Sequence, residues 1–181
     1  MATPIIHASA GILITSLYFL RIKDRDPILL YRLTMAGIIF ACLPDIDLLY
    51  SYLLTGSVIA LHFGITHTIL FAIMVALMVR LLSGGSILKR TLLIFMLIFS
   101  HVIIDGLTGP ERGFTESVGI KALAPFFNWA LVSPFTLFKG VVHAEWFGYE
   151  NMKTVLIDML FFVFAFGFFL YARNNSINNN C

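Results

Sequence analysis

Seven histidine and aspartate side chains lie at the ends of apolar segments in this sequence. They are His7, Asp45, Asp47, His62, His67, His101 and Asp105. In an up-and-down bundle, odd-numbered helices begin on the side where even-numbered helices end, so these groups are expected at one membrane surface. Imidazoles and carboxylates gathered at one depth are what a divalent metal ion binds. The sequence therefore predicts a metal site assembled from several helix ends.

The clearest metal-binding pair is His101 and Asp105, which are four residues apart. On a helix these two side chains share a face and can hold one ion together. Gly106 then favours the end of that helix. The alternative is a histidine–aspartate pair that joins two helices through a buried hydrogen bond.

Asp45 and Asp47 follow Pro44 at the end of the second apolar segment. Side chains two apart on a regular helix point about 200° away from each other, so both cannot meet one ion there. Pro44 loosens the local hydrogen bonding. One aspartate can then bind metal, while the other bridges a second ion, orients a histidine or acts as a base. The alternative is a helix end with two solvated acids.

Three more histidines complete the group. His62 and His67 are five apart, about 140° around a helix, and we expect His67 to point into the cluster. His62 then serves as a second ligand, a proton donor or a substrate contact. His7, alone near the start of the first segment, is predicted to be a ligand because it lies at the same depth. His143 and Glu145 fall on the same side and are candidates for a second metal or for substrate binding.

Electrostatic magnitudes favour a metal over hydrogen bonds alone. Each ionised aspartate within a membrane costs about 2.5–3.5 kcal/mol. A structural zinc ion contributes about 10–16 kcal/mol, whereas a hydrogen bond in a membrane contributes about 0.6–2 kcal/mol. Mixed imidazole and carboxylate ligands predict zinc first, with manganese or iron as alternatives, and the number of groups fits one or two ions.

The composition indicates an integral membrane protein. Of the 181 residues, 59% are hydrophobic, well above the usual share in soluble domains. The formal net charge of +2 is too small to indicate a nucleic-acid partner, and nothing in the sequence points to a protein partner. The two cysteines give neither a disulfide framework nor a zinc knuckle.

The fold class predicted is an all-α membrane protein with about five transmembrane helices. A helical span needs about 20 apolar residues. The candidate segments are roughly 4–22, 28–50, 58–82, 87–108 and 152–172. The connection at about 109–151 carries Gly, Pro, charge and both tryptophans, which predicts an interfacial helix or re-entrant loop before the last span. Residues 1–173 form one domain, and the polar tail 174–181 is predicted to be disordered.

Basic residues predict the orientation. Eight lysines and arginines flank the 1–2 loop, the 3–4 loop and the C-terminal end, against four in the long connection on the other side. The positive-inside rule then places the eight in the cytoplasm. The histidine–aspartate cluster is expected to face the periplasm or the cell exterior.

The order of these motifs resembles a known family. The motifs are His7, Pro44-Asp45-Ile46-Asp47, His62-(x4)-His67-Thr68 and Ser100-His101-(x3)-Asp105-(x2)-Thr108. From His7 to about Phe126 the chain resembles the bacterial inner-membrane, metal-dependent hydrolases of the LexA-regulated type. That family is in turn distantly similar to zinc-dependent phospholipase C.

The resemblance implies metal ligands at His7, Asp45, His67, His101 and Asp105, with Asp47 bridging or acting as a base. It also implies phosphoester hydrolysis in the bacterial inner membrane. Phe63 stands where the family's motif has an arginine, so Arg112 is a candidate to replace it as a phosphate contact.

Together these observations predict a membrane phosphoesterase that acts on a lipid or lipid-linked phosphoester through metal-activated water, with His62 or Asp47 moving protons. One alternative is a metal-ion or proton transporter that uses the same cluster as a relay. Another is a catalytically inert scaffold that keeps a structural metal.

Overall fold

The computed structural model describes residues 2–22, 25–58, 60–83, 88–109, 119–131, 133–141 and 148–178. Within these residues the chain is helical, without a β-strand, and two isolated β-bridges tie down the long connection. The helices are α1 (Pro4–Arg21), α2 (Pro27–Cys42), α3 (Ile46–Thr55), α4 (Ile69–Ser83), α5 (Leu88–Gly106) and α6 (Tyr149–Asn178). The prediction of an all-α protein is confirmed.

Three rods are long and apolar enough to cross a membrane: α1, the combined α2–α3 rod and α6. The α2–α3 rod is kinked by a 3-10 turn at Leu43–Asp45, where Pro44 removes a backbone donor. Helix α4 is apolar but shorter, and α5 carries Lys89, Arg90 and Asp105 within its length. Three of the five predicted segments are thus spans by length and composition.

Several helix ends follow signals that are readable in the sequence. Helices α1 and α2 begin at Pro4 and Pro27, at positions whose N–H groups have no helical partner. The Asp26 side chain accepts a hydrogen bond from the Ile28 N–H at 3.0 Å. Gly56, with φ of 71°, ends α3 in the left-handed conformation that glycine tolerates. The positions of these helix ends determine where the polar residues of each helix lie along the bundle.

Helices α1 and α2 come into close backbone contact at two glycines. A Cβ atom on Gly11 would lie 2.5 Å from the Gly37 carbonyl oxygen, and one on Gly37 would lie 2.7 Å from the Gly11 oxygen. Small residues at such crossings let two backbones touch within a membrane. Helix α6 packs across this pair through Ala165, Phe169 and Ala172.

The third predicted segment differs from the structure. Its helix begins at Ile69 and not near residue 58, because residues 60–68 form turns and a 3-10 turn at Ile65–His67. Phe63 adopts φ of 62° and Gly64 has φ of −74° with ψ of −147°, and neither conformation continues a helix. The histidines of this segment are therefore presented by a loop.

The long connection also differs from the interfacial helix considered for it. Its described parts, 119–131 and 133–141, contain no helix, since Pro125 and Pro134 interrupt any regular run. Instead they fold back on the bundle: the Ile69 N–H donates to the Ala122 carbonyl at 2.9 Å, and the Leu137 N–H to the Leu107 carbonyl at 2.8 Å.

The C-terminal end differs from the predicted disordered tail. Helix α6 continues through residues 174–178 to Asn178, and residues 179–181 lie outside the described part. The Ser176 hydroxyl donates to the Arg25 carbonyl, which anchors this polar end to the α1–α2 loop.

The glycine crossing gives a test of the bundle. We expect Gly11→Ala and Gly37→Ala each to destabilise the protein by about 1–3 kcal/mol, because the added methyl group meets backbone atoms. The midpoint of thermal unfolding in detergent measures the loss. Gly167→Ala in α6 is the matched control, because its Cβ would meet nothing within 4 Å. Equal midpoints for all three variants would show that the crossing is not tight.

Candidate metal centre

The predicted groups come from four different elements and meet at one end of the bundle. His7 lies in the first turn of α1, Asp45 in the 3-10 turn after α2, and His67 directly before α4. His101 and Asp105 lie in the last turns of α5. The imidazoles of His7, His67 and His101 are fully buried. The structure therefore brings together side chains that are up to about a hundred residues apart in sequence.

Four side-chain atoms form a compact set: Nε2 of His67, Nε2 of His101, Oδ1 of Asp45 and Oδ2 of Asp105. The two Nε2 atoms are 3.2 Å apart. The His101 atom lies 3.2 Å from Asp105 and 3.3 Å from Asp45, and the His67 atom lies 3.4 Å and 3.7 Å from the same oxygens. Ligands at about 2.0–2.2 Å around a tetrahedral zinc ion are separated by roughly 3.3–3.6 Å. The observed distances fit that geometry.

Hydrogen bonds at the other ring nitrogens select the tautomers. Nδ1 of His101 lies 2.8 Å from the Ala41 carbonyl, which can only accept, so this nitrogen carries the proton. The Thr66 hydroxyl donates to Asp47, so its oxygen accepts the hydrogen bond from Nδ1 of His67 at 3.1 Å, and the Asp47 carboxylate also lies 3.1 Å from this nitrogen. Both imidazoles therefore turn an Nε2 lone pair towards the shared point, as metal-bound histidines do.

Asp47 orients the site and stands outside the four-atom set. Its Oδ2 accepts from the Thr66 hydroxyl at 2.8 Å and faces His67 Nδ1, while its Oδ1 lies 2.8 Å from Nδ1 of His62. The imidazole of His67 is thus held between Asp47 on one side and Asp45 on the other. Asp45 and Asp47 would point away from each other on a regular helix, but here they contact His67 from opposite sides.

A second set of groups is also close enough to hold an ion: Asp45, Asp47, His62 and His67. In that set the short Asp47–His62 contact and the Thr66 hydroxyl already occupy the Asp47 oxygens. The first set is the better donor set, because its two carboxylate oxygens have no hydrogen-bond partner in the part of the chain that the structure describes.

Unpaired buried atoms mark the first set. Among the described residues, both carboxylate oxygens of Asp45 and Oδ2 of Asp105 are buried without a hydrogen-bond partner. Buried polar atoms nearly always have partners, and an unpaired buried carboxylate oxygen is costly. A cation between the two carboxylates and the two imidazoles satisfies all four atoms at once.

His7 lies beside the set without belonging to it. Its ring stacks on His101, with centroids 3.6 Å apart, and its Nε2 is 3.5 Å from Oδ1 of Asp105. Both ring nitrogens of His7 lack a hydrogen-bond partner among the described residues. His7 is therefore placed to contact an ion or molecule bound by the four-atom set.

The pKa of the His67 imidazole depends on its three carboxylate neighbours. His67 lies in the 3-10 turn before α4, outside the spanning helices. Burial alone lowers its pKa, but contacts with Asp105, Asp45 and Asp47 outweigh burial and raise the pKa well above the ordinary value. Without a metal, a proton on this imidazole helps to balance the carboxylates.

Three predicted site residues cannot be placed relative to the cluster, and three groups that contact the cluster were not predicted. Arg112, His143 and Glu145 lie outside the described residues. Three groups that contact the cluster were not predicted: the Thr66 hydroxyl, the Ala41 carbonyl, and the Ala2 N–H, which donates to Oδ1 of Asp105 at 2.9 Å. Main-chain partners leave no side-chain signal, whereas Thr66 could have been noticed as the hydroxyl next to His67.

The fold and the site together define an all-helical membrane protein with a buried histidine–aspartate centre at one end of its bundle. The family model of the YdjM inner membrane protein matches residues 1–176, and the chain belongs to that family. It is therefore an integral protein of the inner membrane. Neither a curated protein nor a solved structure matches the chain.

Metal content tests the four-atom set. We expect Asp105→Ala to abolish zinc binding by the detergent-purified protein, because two imidazoles and one carboxylate lose their shared partner. Asp47→Ala should weaken binding by about 10–100-fold, the usual effect of losing a group that orients a metal-bound histidine. Elemental analysis and chelator competition measure both effects.

Asp26→Ala is the control for this experiment, since Asp26 caps α2 at the end far from the cluster. It should bind zinc like the unmodified protein. If Asp105→Ala retained as much zinc as Asp26→Ala, a metal centre formed by the four-atom set would be excluded.

Proposed function

We propose that this protein is a metal-dependent hydrolase, a phosphoesterase that acts on a lipid or lipid-linked phosphoester. The observation that carries the proposal is the four-atom set of His67, His101, Asp45 and Asp105, with its unpaired buried oxygens. Imidazole and carboxylate ligands suit zinc, manganese or iron, which are metals of hydrolytic enzymes.

In this proposal the four side chains hold one metal ion. A zinc ion there supplies Lewis acidity, which activates water near neutral pH and polarises a phosphoryl group. Asp45 has the most exposed side chain of the four, at 10%, against none for His67 and His101. It also lies on the 3-10 turn and not within a regular helix. Asp45 is therefore the least enclosed of the four proposed ligands.

His62 and Asp47 are the proposed proton-transfer pair. Asp47 Oδ1 lies 2.8 Å from Nδ1 of His62, which fixes the orientation of the imidazole. Nε2 of His62 is buried without a hydrogen-bond partner among the described residues, so it is available to a reacting group. His62 takes the proton from the attacking water and returns it to the leaving oxygen.

A groove beside the centre supports a lipid substrate. It has a volume of about 620 Å³, an almost entirely apolar lining, and walls formed by α1, α5, α6 and Phe138. Ile6 and Ile104 line it, and they directly precede His7 and Asp105 in sequence. An acyl chain in this groove would lie against Ile6 and Ile104, the sequence neighbours of His7 and Asp105. The groove volume is typical of a ligand pocket.

Motif order and charge supply the remaining parts of the proposal. The similarity to inner-membrane metal-dependent hydrolases supports phosphoester chemistry, with Arg112 as the proposed phosphate contact. The excess of basic residues at the opposite helix ends supports a site that faces the periplasm.

The central test uses His101→Ala. We expect this variant to lose both bound metal and hydrolysis, because Nε2 of His101 lies 3.2–3.3 Å from each of the other three atoms. A panel of phospholipids and lipid phosphates in mixed micelles measures hydrolysis by phosphate or head-group release. Asp26→Ala should keep both properties.

Three outcomes would contradict metal-dependent hydrolysis. Full activity after removal of metal by chelators would exclude a metal-dependent reaction. Metal flux into liposomes without turnover of any lipid in the panel would favour a transporter, and bound metal with neither activity would favour a structural centre.

The groove gives a test of the lipid part. We expect Leu160→Trp, which fills the groove, to raise KM for long-chain lipid substrates by roughly tenfold, since overpacking costs about 1–3 kcal/mol. Hydrolysis of a short-chain soluble phosphoester should stay unchanged. Leu156→Trp is the matched control: both leucines are on α6 with similar exposure, 67% and 69%, but only Leu160 lines the groove. Equal effects of both tryptophans would argue against an acyl-chain site.

A further inference from the structure

Helix α6 contributes no group to the four-atom set, yet it carries a buried acid. Asp158 is 2% exposed and lies in the first third of this apolar spanning helix. A carboxyl group within a membrane span is unfavourable by at least about 2.5 kcal/mol, and such residues usually serve a site. The proposed function does not use Asp158.

Asp158 is joined to the residue that precedes α1. The Thr3 hydroxyl donates to Oδ2 of Asp158 at 2.5 Å. Thr3 occupies the N-cap position of α1, but its side chain makes no capping hydrogen bond to that helix. The hydroxyl is therefore used across the bundle, towards α6, and not for its own helix.

The main chain around Thr3 leads directly to the candidate centre. The Ala2 N–H donates to Oδ1 of Asp105 at 2.9 Å. The Thr3 carbonyl accepts from the N–H groups of Ile6 and His7 at 3.1 Å and 3.5 Å. Ala2 and Thr3 are both buried. One hydroxyl thus fixes a two-residue segment that contacts Asp105 and sets the first turn carrying His7.

We propose that Asp158 is a positioning residue for the metal centre, acting through Thr3 and Ala2 on Asp105. Asp158 holds Thr3, and the Ala2 N–H then occupies Oδ1 of Asp105, so that Oδ2 is the oxygen turned towards His67 and His101. The inference rests on the metal centre of the proposed function and adds α6 to the elements that shape it.

A purely mechanical role for the Asp158–Thr3 contact makes a different prediction. Helix α6 is also held to α1 and α2 by the cluster of Phe169, Ala165 and Ala172 with Ile12 and Phe19, farther along both helices. If the hydrogen bond only fastened α6, its loss would lower stability and leave the metal geometry unchanged. Positioning predicts a changed affinity and a changed ligand field at the metal.

The experiment loads the full chain in detergent with cobalt(II) and records both the dissociation constant and the visible absorption of the bound ion. We expect Thr3→Val and Asp158→Leu to weaken cobalt binding by about 10–100-fold and to alter the spectrum. The double variant should be no weaker than either single one, because both changes break the same contact.

Conservative variants and a matched control complete the design. Thr3→Ser keeps the hydroxyl and Asp158→Asn keeps an acceptor oxygen, so both should restore the wild-type affinity and spectrum. Thr154→Val removes another buried threonine hydroxyl, one that bonds to the Glu150 carbonyl within α6. It should bind cobalt like the wild type.

Wild-type affinity and spectrum in Thr3→Val would overturn the proposal, even if Asp158→Leu failed to fold. Reduced thermal stability with an unchanged spectrum would assign the contact a mechanical role and overturn it equally. Absence of cobalt binding in the wild-type protein would instead overturn the metal centre itself, a result that differs from losses confined to the variants.

Discussion

The constraint on which this structure depends is the burial of carboxylates within a membrane bundle. Asp45 and Asp105 approach the same two imidazoles, and three of their four oxygens have no hydrogen-bond partner among the described residues. Two such charges are tolerated only beside compensating positive charge. A proton on His67 provides part of it, and a divalent cation provides it fully while satisfying every donor atom. The helix ends are arranged around this need: four elements place one or two polar groups each at a common depth.

Much of this arrangement was predictable because helix direction alternates in a bundle. Polar groups at the beginnings of odd segments and the ends of even ones had to share a surface, and the spacing of His101 and Asp105 put both on one face of α5. Angular reasoning was less successful at His62 and His67. It assumed a helix, whereas Phe63 adopts a positive φ and the loop lets both imidazoles reach Asp47. A phenylalanine in that conformation has no sequence signature, so the loop could not be foreseen.

The groups that orient the centre could not be predicted from the sequence for a different reason. The Ala41 carbonyl and the Ala2 N–H belong to the main chain, which every residue has, so residue type carries no information about their use. Asp158 did carry a signal, as a single acid in an apolar segment, but its partner Thr3 lies 155 positions away. Similarly, hydropathy indicated the α1 and α2 segments, while only the structure shows that Gly11 and Gly37 set their distance.

The difference between the four atoms that would bind the metal and the groups that orient them bears on the proposed hydrolysis. Four protein atoms already satisfy a tetrahedral ion, and catalytic zinc sites usually keep one position for water. The four are not equivalent here. Both histidines are fixed at Nδ1, and Asp105 is fixed at Oδ1 by the Ala2 N–H, whereas neither oxygen of Asp45 has a hydrogen bond among the described residues. Asp45 also has the longest of the measured contacts, 3.7 Å to His67, and the most exposed side chain of the four. If the four side chains hold a metal ion as proposed, three of them are fixed and one carboxylate is unrestrained, so one position can open without disturbing the others. The proposed hydrolysis requires such a position, and a purely structural site does not.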